Sequence, residues 1–228
     1  MLKNVPLKTV MPCIVLTMLL FAACANKNKR HADKYYDQGL VFYNSMEYDR
    51  SIDDFTKALE INPKDKENHK VYYMRGRAYL ENRRYNEAID DFAKALEICP
   101  AEDKTTKFSI IESRGNAYHA LNKNDAALKD FTGAIALNRF HKNIKYVYNN
   151  RAWIWQSKKD YAKAIEDYSA ALKKDPTFAP SYYGRASAYS KSGNLPRAIA
   201  DAKEALRLDP ENKKYDDLLF ELRGKQKE

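Results

Sequence analysis

The sequence is poor in the residues that carry chemistry. Three cysteines occur in 228 residues. Cys13 lies inside an apolar run near the start, Cys24 follows that run, and Cys99 stands alone beside Pro100, so a disulfide framework within one chain is excluded. Four histidines, His31, His69, His119 and His141, show no metal-ligand spacing, and no Ser or Cys has a neighbouring base pattern. A Gly-rich phosphate loop, a zinc finger and a recognition-helix arrangement are all missing. The chain therefore offers no catalytic residues, no metal ligands and no site for a bound cofactor. Its apolar stretch from Val10 to Phe21 contains Pro12 and is too short for a comfortable membrane span.

Charge narrows the reading further. The chain carries 40 basic and 31 acidic residues, a formal net charge of +9. These charges are scattered, not gathered into a stripe, so nucleic acid is not the expected partner. A basic balance of this kind fits proximity to anionic lipid or to an acidic partner.

What the sequence does have is a repeat. Arg75-Gly76-Arg77-Ala78-Tyr79 is followed nine residues later by Ala88-Ile89-Asp90-Asp91-Phe92. Arg114-Gly115-Asn116-Ala117-Tyr118 is followed in the same way by Ala127-Leu128-Lys129-Asp130-Phe131. Looser copies begin at Gln38-Gly39, Arg151-Ala152 and Arg185-Ala186. Apolar residues spaced by three and four mark amphipathic helices, not strands. Pro63, Pro100, Pro176 and Pro210 close the second helix of four copies, and Arg139 stands there in the third. A unit of this length cannot close a core alone, so the copies must stack.

The pattern resembles the tetratricopeptide family, in which each unit is a helix–turn–helix with small residues and aromatics at fixed places. Five units match: 32–65, 69–102, 108–141, 145–178 and 179–212. The resemblance implies an all-α fold, a right-handed superhelical solenoid of five units. The charged amphipathic segment 213–228 is then a capping helix with apolar residues Tyr215, Leu218, Leu219 and Leu222 and a charged tail. The small residues Gly39, Gly76, Gly115, Ala152 and Ala186 recur after 37, 39, 37 and 34 positions. The extra residues 66–68, 103–107 and 142–144 are expected to start some A helices early.

The paired acids Asp53-Asp54 and Asp90-Asp91 look like a carboxylate dyad in isolation, but they recur at one repeat position, which a structural role explains better. The second acid of each unit and the helix A arginine are expected to pair. The favoured register joins neighbouring repeats: Asp54 with Arg75, Asp91 with Arg114, Asp130 with Arg151 and Asp167 with Arg185. Pairing within each repeat is the alternative.

Residues 1–23 read as an export signal, with Lys3 and Lys8 before the apolar stretch. Phe21-Ala22-Ala23-Cys24 resembles a bacterial lipobox, which implies cleavage before Cys24 and a diacylglyceryl lipid on its thiol. An ordinary cleaved signal is the alternative. Removing 1–23 takes away two lysines and no acids. Residues 24–31 form a basic tether that spans at most about 25 Å. Ala25 follows the cysteine where Asp would retain an enteric lipoprotein at the inner membrane, which implies the outer membrane, facing the periplasm.

In the family, ligands are held on the concave face by helix A. Carried over, this implies Tyr36, Leu40, Tyr43 and Asn44 in the first unit and Tyr73, Arg77 and Glu81 in the second. The third gives Glu112, Asn116 and His119, and the fourth Tyr146, Asn149, Trp153 and Gln156. The fifth gives Tyr183 and Lys191. Packing between A helices is the rival role, above all for Tyr36 and Tyr183. Chaperone-binding members grip a C-terminal carboxylate with lysines and asparagines, but Tyr36 and Leu40 occupy the first two of those positions here, which implies no such grip. The reading is a non-enzymatic, lipid-anchored envelope scaffold that binds partner proteins or extended peptides. An oligomeric accessory subunit of a solute-uptake system is the alternative.

Overall fold

The computed structural model describes residues 7–226, with side chains from residue 26 onward. The expected lipidation site Cys24 and the expected export signal therefore lie outside the described side chains. Eleven helices and no strands occur among the described residues. They are α1 (Leu7–Asn44), α2 (Tyr48–Ile61), α3 (Asn68–Glu81), α4 (Tyr85–Ile98), α5 (Lys104–Ala120), α6 (Asn124–Leu137), α7 (Ile144–Ser157), α8 (Tyr161–Lys174), α9 (Ala179–Lys191), α10 (Leu195–Leu208) and α11 (Lys213–Lys225). The chain forms two compact units, Met1–Cys99 and Pro100–Glu228. The N-terminal unit holds two helical hairpins. The C-terminal unit holds three and ends on α11.

The first three hairpins close through the same contact. A Cβ added to Gly39, Gly76 or Gly115 would lie within 3 Å of the ring of Phe55, Phe92 or Phe131 on the paired helix, so only glycine lets the two backbones approach. All three rings are fully buried, each contributing about 2–3 kcal/mol by removal from water. The fourth hairpin has Ala152 and the larger Tyr168. There the ring end lies against Gly184 of the next repeat, where a Cβ would sit 2.3 Å from it. The last hairpin has Ala202 at the aromatic position, and Leu219 and Leu222 of α11 complete its core. Tyr215 joins a second cluster with Ala179 and Ala205. The expected cap is thus in place, with its predicted apolar residues facing inward.

The turn inside every hairpin uses one left-handed residue at an equivalent place: Met46, Arg83, Asn122, Lys159 and Gly193. Three of these are long side chains in a conformation that favours glycine.

The surplus residues between repeats behave in two ways. Helix α5 starts early at Lys104, capped by Asp103, whose carboxylate accepts the Thr106 N–H at 2.9 Å. Helices α3 and α7 gain one residue each, and the rest of the surplus forms turns. The exit lacking proline is held by His141. Its ring stacks on Phe108 at 3.9 Å, and Nδ1 accepts the Asn143 N–H. Burial pushes this imidazole below its ordinary range. Residues 26–31 of the expected tether lie inside α1. They contain no glycine or proline to stop the helix, and Lys29 stands 3.8 Å from Asp65. A helical stretch of this length advances about 10 Å, not 25.

The arginine–aspartate register is within repeats, which corrects the expected one between them. Arg75 donates two bonds to Asp91, at 2.7 and 2.8 Å. Arg114 does the same to Asp130, Arg151 to Asp167 and Arg185 to Asp201. Each partner lies 16 residues on, at the same height across the antiparallel hairpin. The neighbouring repeat is reached by the remaining nitrogen. Arg75 Nη1 donates to Thr56, Arg151 to Thr132 and Arg185 to Ser169, at 2.9–3.0 Å. Asp54 has Lys57 as its partner at 2.9 Å. Burial pushes the Asp91 and Asp167 carboxyls up, against the guanidinium groups that pull them down.

Arg151 and Asp167 are 18 % and 6 % exposed. Removing either partner is expected to cost about 2–4 kcal/mol. In urea unfolding, Arg151→Met and Asp167→Leu should couple by at least about 1 kcal/mol, whereas Arg151→Met and Asp130→Leu should add within about 0.5 kcal/mol. Coupling in the second pair and not the first would restore the register between repeats.

Lys145 bonds Asp175 at 2.5 Å, and the Thr177 hydroxyl and N–H also donate to that carboxylate. These donors, Lys145 first, hold Asp175 down to about 2. A depressed carboxyl stabilises the fold above its unfolded value near 3.9 and loses that contribution as pH falls through 2. The melting-temperature difference between wild type and Asp175→Asn should therefore be full above pH 4 and shrink between pH 4 and 2. A constant difference across that window would show that the carboxylate charge is not what these donors hold.

Candidate partner-binding faces

In the N-terminal unit the expected positions fall on α1 and α3, and the structure divides them. Tyr36 and Tyr73 turn toward the hairpin cores, with ring centroids 5.7 Å from Phe55 and 6.1 Å from Phe92. Leu40 packs into the same cluster as Tyr36. Burial pushes the Tyr36 hydroxyl up, opposed by Lys70. These three are edges of the core. Arg77 is different, because its guanidinium lies over the rings of Tyr43 and Tyr73 at 4.9 and 5.8 Å. Burial also pushes Tyr43 up, with Arg77 pulling down. Asn44 and Glu81 are exposed at the helix ends. A cavity of about 220 Å³ opens beside this face, lined by Lys29, Asp33, Tyr36, Asn62, Asp65 and Lys70 among others. The whole face is aromatic and charged.

The C-terminal unit presents a different surface on α5, α7 and α9. Trp153 is 53 % exposed and Tyr146 42 %. Tyr146 stands edge-on to Phe178 at 5.2 Å, and the Lys145 ammonium lies over both rings. His119 meets Trp153 edge-on at 6.1 Å. Tyr183 is drawn onto Tyr215 of α11 at 5.1 Å, which makes it another core-edge residue. Glu112 is half-buried and Lys191 exposed.

Between these aromatics runs a chain of amides and hydroxyls. Asn150 Nδ2 donates to Asn116 Oδ1 at 2.9 Å, Asn149 Nδ2 to Asn150 Oδ1 at 3.4 Å, and Ser181 Oγ to Asn149 Oδ1 at 2.9 Å. Gln156 Nε2 donates to Ser187 Oγ at 3.1 Å, while its Oε1 accepts from the buried Tyr168 hydroxyl at 3.4 Å. The amide planes are thereby set across three helices. Ser181 and the linking role of Asn150 escaped the sequence reading. Asn150 lies one helical turn before Trp153, the residue that stands 37 positions after Asn116 in the next repeat, and from there its side chain reaches Asn116 on the adjacent A helix.

The tetratricopeptide repeat profile matches residues 32–65, 69–101, 146–178 and 179–212, and a second profile of the same description matches 110–141. The DnaJ homolog subfamily C member 7 homolog of Dictyostelium discoideum is 32 % identical over 106 residues, 45 % of this chain and 20 % of that protein. The chain thus spans about a fifth of the length of the curated relatives it matches. The crystal structure of MamA superposes with a TM-score of 0.67 at 24 % identity, covering 81 % of this chain and 94 % of that one. YrrB, described as a TPR protein with an unusual peptide-binding site, superposes at 0.66 with 22 % identity, covering 86 % and 95 %. At these identities the structural likeness is one of fold. With profile matches across all five hairpins and the same architecture in solved relatives, the chain belongs to the tetratricopeptide repeat family.

Proposed function

We propose that this chain is a non-enzymatic adaptor of a bacterial cell envelope, anchored by a lipid on Cys24, that holds extended segments of partner proteins on its helix A faces. The observation that carries the binding role is the exposed Trp153 on α7, flanked by Tyr146 and the amide chain. Aromatic side chains beside fixed polar groups are the types that anchor interfaces. The peptide-binding description of YrrB supports the same use of the fold. The anchor rests on the lipobox-like Phe21-Ala22-Ala23-Cys24, and the outer membrane on Ala25. Two or three acyl chains give stable attachment, at about 0.8 kcal/mol per buried methylene.

Photo-crosslinking in cells tests the binding face. A benzoylphenylalanine at Trp153 should yield a discrete covalent adduct with one partner, while the same residue at Lys129 on α6 should not. Equal adducts from both positions would move the working surface away from helix A.

The anchor has its own test. The mature protein should carry a diacylglyceryl thioether on Cys24 by mass spectrometry, and Cys24→Ser should abolish that modification. An unmodified mature chain beginning at another residue would reduce the protein to a soluble periplasmic adaptor.

A further inference from the structure

The C-terminal unit's helix A face is nearly without charge in a chain that is 31 % charged. Of the residues expected to line α5, α7 and α9, only Glu112 and Lys191 carry a formal charge, and Glu112 is half-buried. The middle of the face consists of Trp153, Asn116, Asn149, Gln156 and Ser187. The nearest cation to Tyr146, Lys145, is neutralised by Asp175. The corresponding face of the N-terminal unit carries Asp33, Lys70, Arg77 and Glu81. The lack of charge is thus local to one surface, and that surface is where the large side chain Trp153 is exposed.

We propose, resting on the adaptor reading above, that this face selects an uncharged extended segment of a partner protein with an aromatic or aliphatic side chain seated against Trp153. A charged side chain laid on the middle of this face would give up water and meet no counter-charge there. A peptide backbone meets what it needs. Asn149 and Asn150 each have one amide N–H committed to the chain across the helices, and the second remains for a carbonyl oxygen. Asn116 accepts in that chain, which leaves its own amide donors for the ligand. The donors are held in place before the ligand arrives, which lowers the ordering cost of binding. Three neighbouring A helices, at about 9–10 Å spacing, span about 20 Å, which matches about six extended residues.

The experiment uses the full chain in mild detergent at pH 8 and a display library of random decapeptides. Peptides that bind wild type are counter-selected against Trp153→Ala, whose helicity is first matched to wild type. The expected survivors have a central stretch free of Asp, Glu, Lys and Arg that includes an aromatic or aliphatic residue. Their binding should fall at least tenfold in Trp153→Ala. It should change less than about twofold between 50 and 500 mM salt, because no charge pair is there to be screened. Survivors rich in acids or bases, with affinity falling more than tenfold over the same salt range, would overturn the neutral selection and leave the helix A adaptor intact. A library from which counter-selection removes nothing, so that every binder ignores Trp153, would overturn both.

Discussion

The arrangement turns on a guanidinium that three helices share. Arg75, Arg151 and Arg185 each hold an aspartate of their own hairpin with two nitrogens and a hydroxyl of the preceding repeat with the third. Tyrosines flank them: Arg75 lies over Tyr72 and Tyr79, and Arg185 over Tyr182 and Tyr189, at 5.6–5.9 Å. A rigid planar fork suits this task, since lysine offers a point charge and no fixed geometry. One side chain thus sets both the closure of a hairpin and its seat on the last one. A buried ion pair is weak evidence for net stability, but removing one partner strands a charge. The interaction therefore specifies register more than it adds energy.

The ends of the chain show what this device requires. The first repeat has Gln38 in place of arginine, and its Asp54 turns to Lys57 one helical turn away. The fifth repeat has Ala202 where the others place an aromatic, with α11 closing the gap. In between, ring size and backbone approach are matched. Phenylalanine faces glycine within its own hairpin three times, and the larger Tyr168 is matched by Gly184 in the next. Each departure from the repeat is answered by a neighbouring departure.

The fold was legible because it is periodic. Five copies of one pattern expose the positions of small residues, aromatics and closing prolines, and the helices follow those positions. The ion-pair register was not legible. The first repeat has Gln38 where the others have arginine, an absence that pairing with the aspartate of a preceding repeat would also produce. The absence is real, but what the preceding repeat supplies is a hydroxyl, Thr56, Thr132 or Ser169. A sequence shows that a partner is missing and not which atom of a multidentate group it served. The left-handed turn residues were equally hidden, because Met46, Arg83 and Lys159 carry no mark of that conformation. On the helix A faces, the family positions could not separate Tyr36, Tyr73 and Tyr183, whose rings pack at the edge of the core, from Trp153, which meets His119 edge-on and stays 53 % exposed.

That separation decides what the helix A faces can do. A tyrosine engaged with a core ring offers a ligand only its edge, so the number of aromatics on a face overstates its grip. In the N-terminal unit Arg77 covers Tyr43 and Tyr73, and the surface offered there is a cation with acids nearby. In the C-terminal unit the amides satisfy one another across helices, and the indole stands clear of them. Hydrogen bonds among the wall residues do two things at once. They stitch adjacent repeats together, and they fix the direction of the donors that remain. In the proposed role, a wall built this way would read backbone and shape in preference to charge, because its polar groups are neutral and already oriented. The same fold can therefore present two chemically different faces on one chain without altering the contacts that hold the repeats together.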